Sequence, residues 1–271
     1  MELYDRTSYE LSMRLTRRYS TSFSMSSQLF HGSIRKHIYA IYGLVRIADE
    51  IVDTHKSETA EADLLSLKKD VYRAIKSGYS VNPIVHSFAL TAAAYGIGKE
   101  LIEPFFESMA MDLSPRNFDQ ETYERYIYGS AEVVGLMCLR VFVGGDDNKY
   151  QSLEAGARSL GAAYQKVNFL RDIKADHDEL GRVYFPGVKF SKFSEKQKTR
   201  IIKDIEEDFK EAESAVSQLP RKARRAVRAS IYYYEALLGI LSRSSVQEIK
   251  KRRVSVPKWR KLGLLAKAAV R

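Results

Sequence analysis

The chain has a single cysteine, Cys138, set between Met137 and Leu139 in an apolar run. No internal disulfide can form, and a reducing compartment is the default. Proline is scarce, six in 271 residues, and fifteen glycines are few for a chain in which every strand would need a turn. Both shortages argue against an all-β fold. The charged start MELYDRTSYE leads into no secretory apolar region, and no uninterrupted apolar run approaches the ~20 residues of a membrane-spanning helix. The expectation is a cytoplasmic protein. Acidic residues are missing altogether from Lys250 onward, where nine cations (Lys250, Lys251, Arg252, Arg253, Lys258, Arg260, Lys261, Lys267 and Arg271) account for nine of the ten net positive charges. The rest of the molecule is therefore close to neutral. Mixed with Trp259, Leu262, Leu264 and Leu265, this tail has the make-up of an interfacial segment drawn to anionic lipid. A solvated basic end held down by its few apolar residues has the same composition.

What the chain does have is helical periodicity, with 45% hydrophobic residues to build a core. Apolar residues recur at helical spacing over 6–18, 32–55, 58–77, 84–95, 99–112, 119–143, 148–178, 194–217 and 221–250, with breaks at SGYSVNP, YGIGKE, LSPRN and VGGDDN. Ser33 is placed to cap the second helix, and Pro220 precedes the last. The basic run RKARRAVR at 221–228 reads as a solvated helix face. Apart from a short extended piece at RVYFP there is no alternating strand pattern, and there is no fixed-period repeat or linker. The expected architecture is all-α, a single domain over 1–271 with a basic tail from about 250.

Two helices carry the chemistry. Tyr42, Arg46, Asp49 and Asp53 fall on one stripe of the 32–55 helix, beside Ile41, Val45, Ala48 and Val52. Gln165, Asn168, Asp172 and Asp176 share a stripe of the 148–178 helix, flanked by Phe169, Leu170 and Ile173. Both helices are too apolar to lie free on a surface, so the acids should face an internal cavity. Like charges one turn apart cost a helix a few tenths of a kcal/mol, and burying four carboxylates without counter-charge is prohibitive. A hard divalent cation with oxygen ligands is the usual remedy. Mg²⁺, with Mn²⁺ as a substitute, fits, because it takes one or two carboxylates per ion and completes its shell with water and substrate phosphate. Zinc is disfavoured, since one cysteine and five scattered histidines offer no ligand pair. Arg46 and Arg171 stand beside the acids, as an anion such as diphosphate would require. Simple salt bridges, Arg46 with Asp49 or Glu50 and Arg171 with a nearby acid, would account for either stripe taken alone.

These residues resemble the squalene/phytoene synthase family of head-to-head trans-isoprenyl diphosphate synthases. ADEIVD at 48–53 resembles its first aspartate-rich motif, and QKVNFLRDIKADHDELGRVYFP at 165–186 resembles its second. YSTSFS at 19–24 is similar to the family's serine motif, YIYGSAEVVG at 126–135 to its cavity helix, and ESMAMDL at 107–113 to a stretch common in phytoene synthases. The resemblance implies an isoprenoid synthase helical bundle that condenses two prenyl diphosphates through a cyclopropyl diphosphate. Asp49, Asp53, Asp172 and Asp176 would hold Mg²⁺, with Asn168 as a polar companion and Glu50 a weaker candidate. The motif alignment puts Phe23, Tyr42 and Tyr128 near the developing carbocation, where cation-π contact would help; aromatics at helical spacing also serve simply as core. Ser20 and Ser22, Gln165, Tyr184 and Tyr234, and Arg252 and Arg253 align with substrate-binding positions. Helix capping is the simpler role for the serines, and membership of the basic tail for the two arginines. The pattern is not complete. Thr21 stands where the serine motif often has Lys, and Glu132 where many relatives have glycine in the cavity helix.

The phytoene-like stretches favour two geranylgeranyl diphosphates as substrates, giving phytoene for carotenoid biosynthesis with no nicotinamide cofactor. Dehydrosqualene or squalene formation from farnesyl diphosphate is the alternative. The partners this implies are the prenyl diphosphates, an anionic membrane met by the tail, and downstream carotenoid enzymes. No nucleic acid is expected, because paired acidic stripes repel phosphate unless metal is present; a non-catalytic basic helical binding protein is the reading from another class.

Overall fold

Stretches of helical pattern at least twelve residues long leave little room for anything but helices, and a computed structural model of the chain is built from them. It describes residues 2–54, 58–114 and 118–270, except the side chains of Thr21, Ser22, Lys258, Leu262, Leu265, Ala269 and Val270. In order these are α1 (Leu3–Tyr19), α2 (Thr21–Ser27), α3 (Gly32–Asp49), α4 (Ala60–Ser77), α5 (Pro83–Tyr95), α6 (Lys99–Met111), α7 (Gln120–Ile127), α8 (Val133–Val143), α9 (Asp147–Leu180), α10 (Glu195–Gln218), α11 (Arg221–Arg243), α12 (Val246–Ile249) and α13 (Lys258–Val270). Short π-helical turns, Glu50–Thr54 and Tyr128–Glu132, continue α3 and join α7 to α8. No strand occurs among the described residues, and RVYFP is an irregular stretch. His55, part of the LSPRN break and Arg271 lie outside the described residues.

The departures from the periodicity have local causes. α2 lies in a serine-rich stretch with little apolar pattern, and it forms because Ser20 caps it, accepting the Phe23 N–H at 3.3 Å. α3 is capped by the ring of His31, which accepts the Ser33 N–H at 3.3 Å, and not by Ser33 itself. The 221–250 helix breaks at Ser244, and α12 restarts under a capping box formed by Ser245 and Glu248. The stretch Gln120–Val143 has the length and apolarity of a membrane crossing. Here a π turn interrupts it and Val133, Leu136, Met137 and Leu139 are buried in the core.

Two apolar clusters fill the bundle. One gathers α3 to α6 and α8 around Ile38, Leu44, Phe88, Phe105 and Leu136. The other joins the second half of α9 to α10, α11 and the loop after α9 around Phe169, Leu170, Phe185, Ile205 and Leu237. α9 serves both, and it meets α8 at unusually close range. A Cβ on Gly161 would lie 2.7 Å from the Ala131 carbonyl oxygen, and one on Gly135 would lie 2.8 Å from that of Ala157. Only glycine lets the two backbones approach this closely, and the crossing forms one wall of the cavity described below. Gly161→Ala is expected to destabilise the fold by about 1–3 kcal/mol through overpacking, read as a lower urea midpoint with an unchanged slope.

Candidate active site

α3 and the C-terminal half of α9 bring the two acidic stripes together. Burial, and after it the charge of Asp53, pushes the Asp49 carboxyl up to about 7 against the pull of Arg46. Burial, followed by Asp172 and Asp53, likewise pushes Asp176 up to about 7, opposed by Arg182 and Arg171. Asp53 acts on acids of both helices and so stands between them. The local distortion under it is the π turn that ends α3, a feature that recurs at functional sites. Lys174, the one cation between Asp172 and Asp176, pairs instead with Asp178. Asp172 differs from its neighbours. Burial pushes its carboxyl up, but Arg171 and Arg253 outweigh this and hold it below the usual range.

Arg171 donates from Nε to Asp172 Oδ1 at 2.9 Å and from Nη2 to Oδ2. Arg253 donates to the same two oxygens at 2.6 and 3.2 Å. Arg46 pairs with Glu50 at 2.6 Å and more distantly with Asp49 at 3.9 Å, its guanidinium lying over the Tyr19 ring. The salt bridges expected from sequence therefore exist, yet they leave Asp49 and Asp176 each repelled by Asp53.

Among the described residues no three acidic, histidine or cysteine side chains form a ready-made metal cage. The donor set is two aspartate pairs on facing helices, two of whose members hold protons more tightly than ordinary carboxylates. Beside them the Asn168 Oδ1 is buried without a partner, while its side chain bonds the Tyr234 hydroxyl. Such a set fits a divalent ion that takes one or two carboxylates and fills its shell with water and phosphate oxygens.

An apolar cavity of about 270 Å³ opens beside the acids. It runs from Tyr42 and Gln165, on the two acidic stripes, to Phe30 and Phe142, which stack at 5.3 Å. Phe23 stacks on Tyr42 at 4.9 Å, and the Tyr42 hydroxyl bonds Ser20. Ser20 thus serves both as a cap and as a partner of the site; the side chain of Ser22 lies outside the described residues. Gln165 donates to Ser130 across the α8–α9 crossing at 3.2 Å. Tyr234 stacks on Tyr164 at 4.0 Å, and Tyr164, a cavity residue that the motifs did not mark, bonds Ser230 at 2.5 Å.

Two expected site residues sit elsewhere. The Tyr128 ring lies under the guanidinium of Arg158 at 5.2 Å and is not part of the cavity lining, because the π turn presents Ser130 and Ala131 there instead, followed by Val134 of α8. Glu132 is bound to the same Arg158 at 2.7 Å and likewise does not line the cavity, so the extra carboxylate leaves the cavity apolar. Tyr184 is buried under the acids, stacked on Phe169 at 4.0 Å. Arg252 is exposed, its backbone N–H closing a turn on the Glu248 carbonyl at 3.1 Å.

The sequence pattern missed Asp112 and Arg182. Gly181, in the left-handed conformation at φ 65°, ends α9 and turns the chain back so that Arg182 points under the site. Arg182 pairs with Asp112 at 2.9 Å, reaches Asp53 at 3.3 Å and donates to the Asp112 backbone carbonyl. Tyr126 donates to Asp112 at 2.6 Å. Asp112 and Arg182 are both buried, at 5% and 6% exposure, and burial pushes Asp112 up to about 6 despite the arginine. Both lie in stretches flagged from sequence, ESMAMDL and GRVYFP, but no spacing relates residues seventy positions apart.

The fold is that of the all-α isoprenoid synthases. A crystal structure of a dehydrosqualene synthase in complex with ligand matches with a TM-score of 0.85, covering 98% of this chain and 96% of that one at 19% identity. The squalene/phytoene synthase family model matches residues 16–260, and the chain belongs to that family. It is 26% identical to the phytoene synthase of Arthrospira platensis, over 97% of this chain and 93% of that protein. It is also 26% identical to the 15-cis-phytoene synthase of Synechococcus elongatus, over 97% and 92%.

Two outcomes are expected. Arg182→Met leaves Asp112 buried without its partner and should cost about 3–5 kcal/mol; Asp112→Asn in the same chain should recover part of that loss, a coupling read by a double-mutant cycle in urea. The second concerns pH. Raised aspartates make the folded chain bind more protons than the unfolded one between about pH 4 and 7, so with EDTA present its stability falls as pH rises through that window. Asp49→Asn should flatten the fall and raise the Tm at pH 8 by about 2–4 °C, measured by thermal melts.

Proposed function

We propose that the protein joins two molecules of geranylgeranyl diphosphate head to head, through a cyclopropyl diphosphate, to form phytoene with release of diphosphate in carotenoid biosynthesis. The observation that carries this reading is the pair of facing aspartate stripes at the edge of an apolar cavity. Asp49, Asp53, Asp172 and Asp176, with Asn168, would hold Mg²⁺, which when bound supplies stabilisation of the charge that develops on the departing diphosphate. Arg46, Arg171 and Arg253 supply N–H donors to the diphosphate oxygens, a role suited to the planar guanidinium.

The prenyl chain is held in the cavity between α3, α8 and α9, whose apolar wall keeps water from a cation that water would quench to an alcohol. The rings of Phe23, Tyr42 and Tyr164 line the cavity, with Tyr234 stacked on Tyr164, and a developing carbocation there gains from an aromatic face. Family membership and near full-length similarity to two phytoene synthases support the twenty-carbon substrate. The basic tail, with Trp259 75% exposed, suits peripheral contact with an anionic membrane from the cytoplasmic side, where substrate and product are both at home.

The test is purified protein with Mg²⁺ and either geranylgeranyl or farnesyl diphosphate, without reductant. A forty-carbon hydrocarbon from the longer substrate is expected. Preferential conversion of farnesyl diphosphate to a thirty-carbon product overturns the substrate assignment, and no Mg²⁺-dependent turnover of either overturns the reaction. Asp176→Asn should lower kcat/KM by at least about 100-fold, the scale of losing a charge-stabilising group.

A further inference from the structure

A carboxylate offers about four lone-pair positions, and those of Asp172 face four N–H donors from two arginines. The two arginines are not equivalent. Arg171 neighbours Asp172 on α9, with only 16% of its side chain exposed. Arg253 reaches in from eighty-one residues away with 65% of its side chain exposed. It sits on an irregular stretch between α12 and α13 that is anchored by buried Val254 and Val256. A carboxylate that must turn an oxygen toward a cation sheds the exposed donor far more cheaply than the buried one.

The segment that carries Arg253 continues into α13, which packs along α11 and touches α2. α2 supplies Phe23 to the cavity lining. Lys261 of α13 lies over the Tyr233 ring at 5.2 Å, and Tyr233 meets Tyr234 edge-on at 5.3 Å, next to Asn168 and Arg171. One exposed ion pair thus ties the site to a helix packed against α2, which itself lines the cavity.

We propose that Arg253 and a divalent cation compete for Asp172, so that Arg253 latches the C-terminal segment to the metal-free site and loading the site releases it. The freed guanidinium stays beside the place where a diphosphate would lie, and α13 shifts against α2 and α11. This regulation rests on the reading above that Asp172 serves a cation.

Trp259, the single tryptophan of the chain, lies six residues beyond Arg253 and reports on α13 directly. The full chain is titrated with Mn²⁺ alone, following free Mn²⁺ by electron paramagnetic resonance and Trp259 emission in parallel. In the wild type, emission is expected to change along the same saturation curve as binding. In Arg253→Gln the metal-free emission should already match the loaded wild type, and Mn²⁺ should bind about three- to fivefold more tightly, the competing ion pair being gone. Arg253→Lys should fall between the two. Binding in Arg253→Gln that is unchanged or weaker, or wild-type emission that ignores binding, overturns the latch while leaving the metal site intact. Wild-type binding that Asp172→Asn does not weaken overturns the metal site and the latch together.

Discussion

Repulsion among four aspartates on two facing helices is the constraint around which this molecule is organised. Asp49 and Asp176 are each pushed up to about 7 by burial and by neighbouring acids, so the folded chain carries a local instability that a bound cation would remove. Cores tolerate such an arrangement only where the surrounding structure holds it in place. Here the holding parts are identifiable. The glycine contact between α8 and α9 lets those helices pack closely enough to form a cavity wall, and the Asp112–Arg182 pair clamps Asp53 from below.

Charge is placed with the same economy. The body of the protein is nearly neutral, and its excess of cations lies in the last twenty-two residues. One of those cations, Arg253, turns inward to an aspartate of the site, while Lys261 and Lys267 lie over tyrosine rings of α11. The tail is therefore both a basic surface and part of the wall of the site. The family's two aspartate motifs are thus joined here by three arginines with different tasks. Arg171 orders Asp172 from its own helix, Arg182 orders Asp53 from beneath, and Arg253 approaches from the tail.

Much of this was legible in the sequence because helical spacing converts directly into faces. Asp49 and Asp53, and Asp172 and Asp176, lie one turn apart on apolar helices, and that alone predicts two acidic stripes and an internal site. Longer-range features were not legible. Nothing in the spacing of ESMAMDL and GRVYFP indicates that Asp112 and Arg182 pair, since the contact is made by tertiary packing after the turn at Gly181. Tyr128 was misplaced because a π turn changes which residues face inward, and helical wheels assume a constant pitch. α2 escaped notice because a serine cap, and not an apolar pattern, starts it.

The central claim, that the facing aspartates share a divalent cation, is tested most directly by calorimetric titration of Mg²⁺ into the protein at about pH 6.5, in two buffers of different ionisation enthalpy. Metal binding at carboxylates that hold protons near neutrality must release those protons. The account predicts measurable proton release in the wild type, lost when Asp49 and Asp176 are both changed to Asn. Binding with no proton release, or release undiminished in that double variant, would contradict it.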